Sequence, residues 1–116
     1  MPGMSIHVVD VSRGAVAAGM RVELHALAPG RRVIAAGTLS ASGVLEAPEL
    51  AQTLAAGEYE AVFHVGAWYR AQGVPLPAVA FLEVVAYRFG IDDPAQHYHL
   101  PFKCTPWGYS CFRGGA

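Results

Sequence analysis

His97 and His99 stand one residue apart, with Lys103 four positions further on, in the stretch from His97 to Gly115. In an extended strand, residues two apart share a face, so His97, His99, Pro101 and Lys103 point one way. Tyr98, Leu100, Phe102 and Cys104 point the other way and are apolar, which marks theirs as the core face. An imidazole with a pKa near neutrality takes a proton from water and returns it to a leaving nitrogen. His7, in a β-rich run from Ser5 to Val11, is the second candidate. Two imidazoles on neighbouring strands divide the base and acid roles between them. His97 starts its strand and flanks the pair, while His25 and His64 read as surface or satisfied core residues.

Two further chemistries are open at these positions. His7, His97 and His99 could supply three imidazoles to zinc. No carboxylate or thiol stands at a supporting spacing, so no metal and no cofactor are expected. Lys103 shares the His99 face, roughly 13 Å along the strand. Its ammonium either snorkels to solvent, holds an anionic substrate group, or, if desolvated, acts as an amine of lowered pKa. Cys104 and Cys111 flank a Pro106-Trp107-Gly108 turn, where a disulfide is conceivable. Two buried thiols are the plainer expectation.

These side chains need a scaffold, and the chain reads as one domain over residues 1–116 with a single core. Hydrophobic residues make up 53% and charged ones 15%, the balance of a compact globule with part of its surface buried in an oligomer. A net charge of −1 gives no footprint for nucleic acid or an anionic membrane. No apolar run approaches the roughly 20 residues of a membrane span. Met1 to Met4 lacks the charged and apolar regions of an export signal, so a cytoplasmic location is expected.

Alternation places strands at Ser5–Val11, Met20–Leu27, Arg32–Thr38, Glu58–Val65, Glu83–Phe89, His97–Cys104 and Tyr109–Arg113, with a brief one at Val44–Leu45. Arg13-Gly14 and Ala18-Gly19 punctuate a loop, as do the polar residues from Glu46 to Ala56. Gly66 to Gly73 is the one helix, bounded by glycines. Eight short strands with frequent turns predict an all-β, two-sheet sandwich.

His97-Tyr98-His99-Leu100-Pro101 and the run Gly108 to Gly115 resemble the C-terminal signature of the transthyretin-like 5-hydroxyisourate hydrolases. Ile6 to Asp10, Gly57 to Glu60 and Phe89-Gly90-Ile91 extend the resemblance over nearly the whole chain. It implies a transthyretin-like sandwich with four strands per sheet and a helix after the fifth strand. It also implies a homotetramer, a dimer of dimers, with active sites in a channel between the dimers. Carried over by motif, the catalytic pair is His7 and His99. The family's arginine after its third turn falls on Val44, and its Tyr-Arg-Gly-Ser tetrapeptide becomes Phe112-Arg113-Gly114-Gly115. Lys103 stands where the family usually has an aliphatic residue.

The residues expected around a small-molecule substrate are thus His97, Lys103, Val44, Ser110, Phe112, Arg113 and Gly114. With a guanidinium, a phenol and a hydroxyl gone, the expectation is a diverged member acting on a small cyclic substrate by hydrolysis or by cyclisation or rearrangement. Two alternatives stand beside it. One is a genuine 5-hydroxyisourate hydrolase of purine breakdown, and the other is a non-catalytic small-ligand carrier using the channel.

Overall fold

A computed structural model describes residues 2–115. The strands are β1 (Met4–Asp10), β2 (Ala15–Val16), β3 (Arg21–Ala26), β4 (Arg32–Thr38), β5 (Gly57–Phe63), β6 (Val85–Ile91), β7 (Tyr98–Thr105) and β8 (Gly108–Cys111). One helix, α1 (Val65–Ala71), follows β5, and a 3-10 turn at Pro48–Ala51 interrupts the expected loop. The strands form two four-stranded sheets, β2-β1-β7-β8 and β4-β3-β5-β6. The expected transthyretin-like sandwich is the fold observed.

Alternation decides which side chains meet between the sheets. Ile6 and Val8 of β1, Leu100, Phe102 and Cys104 of β7, and Val22 and Leu24 of β3 are all buried. The Phe63 and Phe102 rings stack across the gap with centroids 3.9 Å apart and planes 8° from parallel, so the two sheets meet at β5 and β7. β1 and β7 run parallel, pairing Ser5 with His99, His7 with Pro101 and Val9 with Lys103. Residues 4–10 and 98–104 lie far apart in sequence, so the intervening sandwich must fold to bring them together.

Two strand expectations are corrected. Val44 makes only a single bridge to His7, whereas Ala15–Val16, read as loop, forms the short edge strand β2. Both segments lie along β1, and β2 occupies the end at Val9 and Asp10. Val44 is left the stretch where Val8 donates to the Gly43 carbonyl and Leu45 donates to that of Ile6. Gly43 is required there. It has φ +77°, and a Cβ on it would lie 2.8 Å from both the Val16 side chain and the Val8 carbonyl.

At seven residues, α1 is too short to hold itself by backbone bonds alone and depends on tertiary anchors. Trp68 Nε1 donates to the Ala18 carbonyl at 2.7 Å, and the Tyr69 hydroxyl donates to Asp10 Oδ1 at 2.7 Å. Asp10 is fully buried at the end of β1. Burial alone would raise its pKa, but hydrogen bonds from Ser12, Arg13 and Tyr69 outweigh this and hold it below the ordinary carboxylate value.

Candidate active site

The outward face of the β1–β7 pair gathers most of the residues singled out in sequence. Ser5 and His7 on β1 and His99 on β7 are half-buried there, and Pro101 between them is buried. Ser5 Oγ lies 2.6 Å from His99 Nδ1 and 3.0 Å from His97 Nε2. His97 also faces the Pro2 carbonyl through Nδ1, at 3.5 Å. His99 thus sits beside Ser5 and diagonally across from His7. Burial, then the neighbouring His7 and His97, push the His99 pKa below its ordinary value, which favours the neutral ring.

The C-terminal tail closes over this face. Beyond β8 the chain keeps to β7 in the same register, and the Gly114 amide donates to the His99 carbonyl at 2.7 Å. Pro101 has no amide to donate, so the regular ladder breaks opposite Phe112 and is resumed by that one bond. Gly114 packs against the His99 and Pro101 rings, where a Cβ would come 2.7 Å from His99 Cδ2. The Arg113 side chain turns away. Its guanidinium lies 3.9 Å from the centre of the Tyr98 ring and donates to Gln96 Oε1 at 2.8 Å and to the His97 carbonyl at 3.3 Å, pinning the tail.

Val44 joins the same neighbourhood through its bridge to His7. It lines a cavity of about 270 Å³ together with Ser5, Glu46, Leu50 and His97. Lys103 and Ser110 lie further along β7 from the histidines, and Phe112, opposite Pro101, stands between the two groups. Lys103 pairs with Ser110 across β7 and β8, and its ammonium is 5.7 Å from the Phe112 ring centre. A groove of about 320 Å³ runs there between Val11, Lys103, Tyr109 and Ser110. The structure therefore assembles His7, His97, His99, Val44 and Gly114, and forms a second locus around Lys103.

The remaining candidates have structural partners. His25 and His64 each donate through Nε2 to Glu23, at 2.8 and 2.9 Å, on the other sheet. Cys104 and Cys111 are free thiols, because the β7–β8 register sets Cys104 opposite Tyr109 and Cys111 opposite Phe102. Burial pushes their pKa values up to about 11 and about 12, so neither is a nucleophile near neutrality. Among the described residues no three His, Cys, Asp or Glu side chains converge as a metal would require. No helix among them is long and apolar enough to cross a membrane.

Ser5 is the residue of this face that sequence reading missed. Its one signal was parity, since it stands two positions before His7 and so shares the His7 face.

A two-sheet sandwich with one helix after the fifth strand, and paired histidines under a glycine-bearing tail, defines a transthyretin-like protein. Residues 4–114 match the model of the HIUase/Transthyretin family. The chain is 40% identical over 113 residues to 5-hydroxyisourate hydrolase 2 of Rhizobium meliloti, covering 96% of this chain and 94% of that one. It is 40% identical over 116 residues to the 5-hydroxyisourate hydrolase of Ralstonia nicotianae, with 98% and 99% covered. Among solved structures, Klebsiella pneumoniae 5-hydroxyisourate hydrolase superposes with TM-score 0.82 at 30% identity, covering 99% of this chain and all of that one. An (S)-allantoin synthase superposes with TM-score 0.89 at 33% identity, covering 97% of this chain and 43% of that chain. The chain belongs to the HIUase/Transthyretin family, as an enzyme.

Proposed function

We propose that this protein opens or rearranges a small cyclic amide or imide by histidine acid–base chemistry, as a diverged member of the 5-hydroxyisourate hydrolases. The observation that carries this reading is the enclosure of His99 by Ser5, His7 and the Gly114 tail, where burial favours its uncharged form. In the hydrolytic form, His99 takes a proton from water and the oxygen adds to a ring carbonyl. The ring C–N bond then breaks, the leaving nitrogen receives a proton from protonated His7, and His99 releases to solvent the proton it took up while His7 regains one from solvent. His97 and Val44 line the approach, and Lys103, with Ser110 and Phe112, receives an anionic substituent. Val44 offers no cation to the developing oxyanion, so 5-hydroxyisourate is expected to turn over slowly. A missing preorganised donor costs about 10²–10³ in rate.

The working form is a cytoplasmic homotetramer, a dimer of dimers formed from single-domain chains. In support, β6 and β8 each stand at a sheet edge. Phe81, Trp107, Tyr109 and Phe112 are 70%, 62%, 47% and 45% exposed, an apolar surface that association would cover. Sedimentation as a monomer at micromolar concentration would remove the channel.

A second reading is ordinary 5-hydroxyisourate hydrolysis, favoured by relatives of that name at 40% identity over nearly their whole length. Steady-state assays with 5-hydroxyisourate, on wild type and on His7→Ala and His99→Ala, test both. Each substitution is expected to lower kcat by about 10²–10⁴, the range for general acid–base groups. Full activity in the double variant would overturn the mechanism. Binding of 5-hydroxyisourate without turnover would instead make the protein a carrier.

A further inference from the structure

We infer that Ser5 is a positioning residue that fixes His99 in the Nδ1–H tautomer, leaving Nε2 as the proton acceptor, and that His97 sets the direction of the serine hydroxyl. This rests on the reading of His99 as a base and assigns work to two residues that the reaction does not otherwise need.

The inference follows from counting protons. A serine hydroxyl has one hydrogen to give and lone pairs to receive. Ser5 Oγ is within hydrogen-bond distance of two imidazole nitrogens, His99 Nδ1 at 2.6 Å and His97 Nε2 at 3.0 Å. It can donate to only one of them, so it accepts from the other, and the tautomers of the two rings are coupled. The Pro2 carbonyl, which can only accept, breaks the symmetry. It faces His97 Nδ1 at 3.5 Å, a long contact that still favours a proton on that nitrogen over a lone pair. With a single ring proton, held at Nδ1, His97 has a bare Nε2, and Ser5 donates to it. Ser5 Oγ is left to accept from His99 Nδ1–H, and His99 Nε2 carries no proton.

The backbone maintains this order. Ser5 and His99 are partners across the parallel β1–β7 ladder, and Gly114 closes on the His99 ring from the tail. His7 on β1 and His97, just before β7, are the titratable groups whose charge acts on His99. When His99 gains a proton at Nε2, its Nδ1–H bond to Ser5 is unchanged, so the hydroxyl accepts from the neutral and the charged ring alike. Proton uptake therefore requires no rearrangement in this chain of groups.

The test uses nitrogen-15 histidine spectra of the intact protein together with kinetics on 5-hydroxyisourate. Wild type is expected to show His99 as the Nδ1–H tautomer, and Ser5→Ala a mixture of both. In Ser5→Ala, kcat should fall about 10- to 100-fold, part of the 10²–10⁴ that a general base supplies, with KM nearly unchanged. The acidic limb of the pH–rate profile should also move. Ser5→Thr keeps the hydroxyl and should restore both tautomer and rate, whereas His97→Phe should reproduce the mixture. An Nε2–H tautomer at His99 in wild type would overturn the inference whatever the rates. So would a Ser5→Ala rate and pH profile matching wild type while His99→Ala is inactive. If His99→Ala is itself fully active, the failure lies with the proposed function, and the spectra still decide the tautomer.

Discussion

Gly114 donates its amide to the carbonyl of His99 at 2.7 Å and lies against the same residue's ring, with no room for a methyl group between them. Its φ is not in the left-handed region, so glycine is needed there for close approach. Gly114→Ala would place a Cβ 2.7 Å from His99 Cδ2 and 3.2 Å from Pro101 Cδ, and the tail must lift. The expected result is a fall in kcat, within about the 10²–10⁴ range of a displaced acid–base group. The denaturant midpoint should hardly change, because the tail lies outside the core. Unchanged kcat in Gly114→Ala would show that closure of the tail has no part in the reaction.

Lys103 is the chain's one lysine and lies in its own groove, beyond Pro101 from the histidines. Its ammonium is exposed, with the Phe112 ring as aromatic neighbour. Lys103→Met is expected to raise KM for an anionic substrate by no more than about fivefold, the worth of an exposed ion pair. kcat should hold, and added salt should reproduce part of the effect in wild type. Collapse of kcat, with borohydride trapping of a carbonyl substrate on the protein, would make Lys103 a catalytic amine instead.

Strand parity made one half of the site legible. In β7 the apolar residues alternate from Tyr98 to Cys104 with His99, Pro101 and Lys103, so the two faces could be separated without coordinates, although Pro101 is itself buried. His7 needed the motif beside it, and the two sheets followed from the strand count and turns. Ser5 stayed hidden because its partner is 94 residues away, in a register that the entire sandwich sets. Two residues, Ala15 and Val16, are too few to display a period, so β2 passed for loop. The His25–Glu23–His64 cluster and the tail over His99 are likewise products of packing between distant segments.

That cluster should be visible in stability against pH. Hydrogen bonds from His25 and then His64 hold the Glu23 pKa below 4.5, with a lesser contribution from Arg21. A carboxylate depressed in the folded state stabilises fully above its unfolded pKa and loses that contribution as pH falls through the folded value. The gap in urea midpoint between wild type and Glu23→Gln is therefore expected to be open near neutrality. It should close as pH drops below about 4. A gap that stays constant down to about pH 3 would show that Glu23 contributes no charge-dependent stability.

Tyr69 is expected to contribute to stability without touching catalysis. Its hydroxyl is one of the donors on buried Asp10, and that bond ties α1 to the end of β1. Tyr69→Phe leaves the carboxylate with Ser12 and Arg13 alone. The expected loss is about 1.5–3 kcal/mol, the range for a hydrogen bond to a charged group. It is measurable by urea denaturation, with kcat per folded molecule preserved. A variant as stable as wild type would mean that water or a shifted Arg13 replaces the phenol.

The family resemblance sets Val44 at the place of an arginine, and of the positions it sets apart Val44 is the one that pairs with His7. Its backbone bridges to His7, and its side chain borders the cavity shared with Ser5 and His97. An arginine there would reach a space bordered by a carboxylate, Glu46, and by the histidine face, where the proposed mechanism puts the developing negative charge. Val44→Arg combined with Phe112→Tyr and Gly115→Ser is expected to raise kcat/KM for 5-hydroxyisourate by about 10²–10³, the worth of a preorganised donor at an oxyanion. Val44→Arg alone should supply most of that, since the other two changes add neutral hydroxyls. The comparison needs the wild-type rate beside that of an arginine-bearing relative under one set of conditions. Equal rates would show that the three replaced positions do not limit this reaction, and the protein would then be an ordinary 5-hydroxyisourate hydrolase.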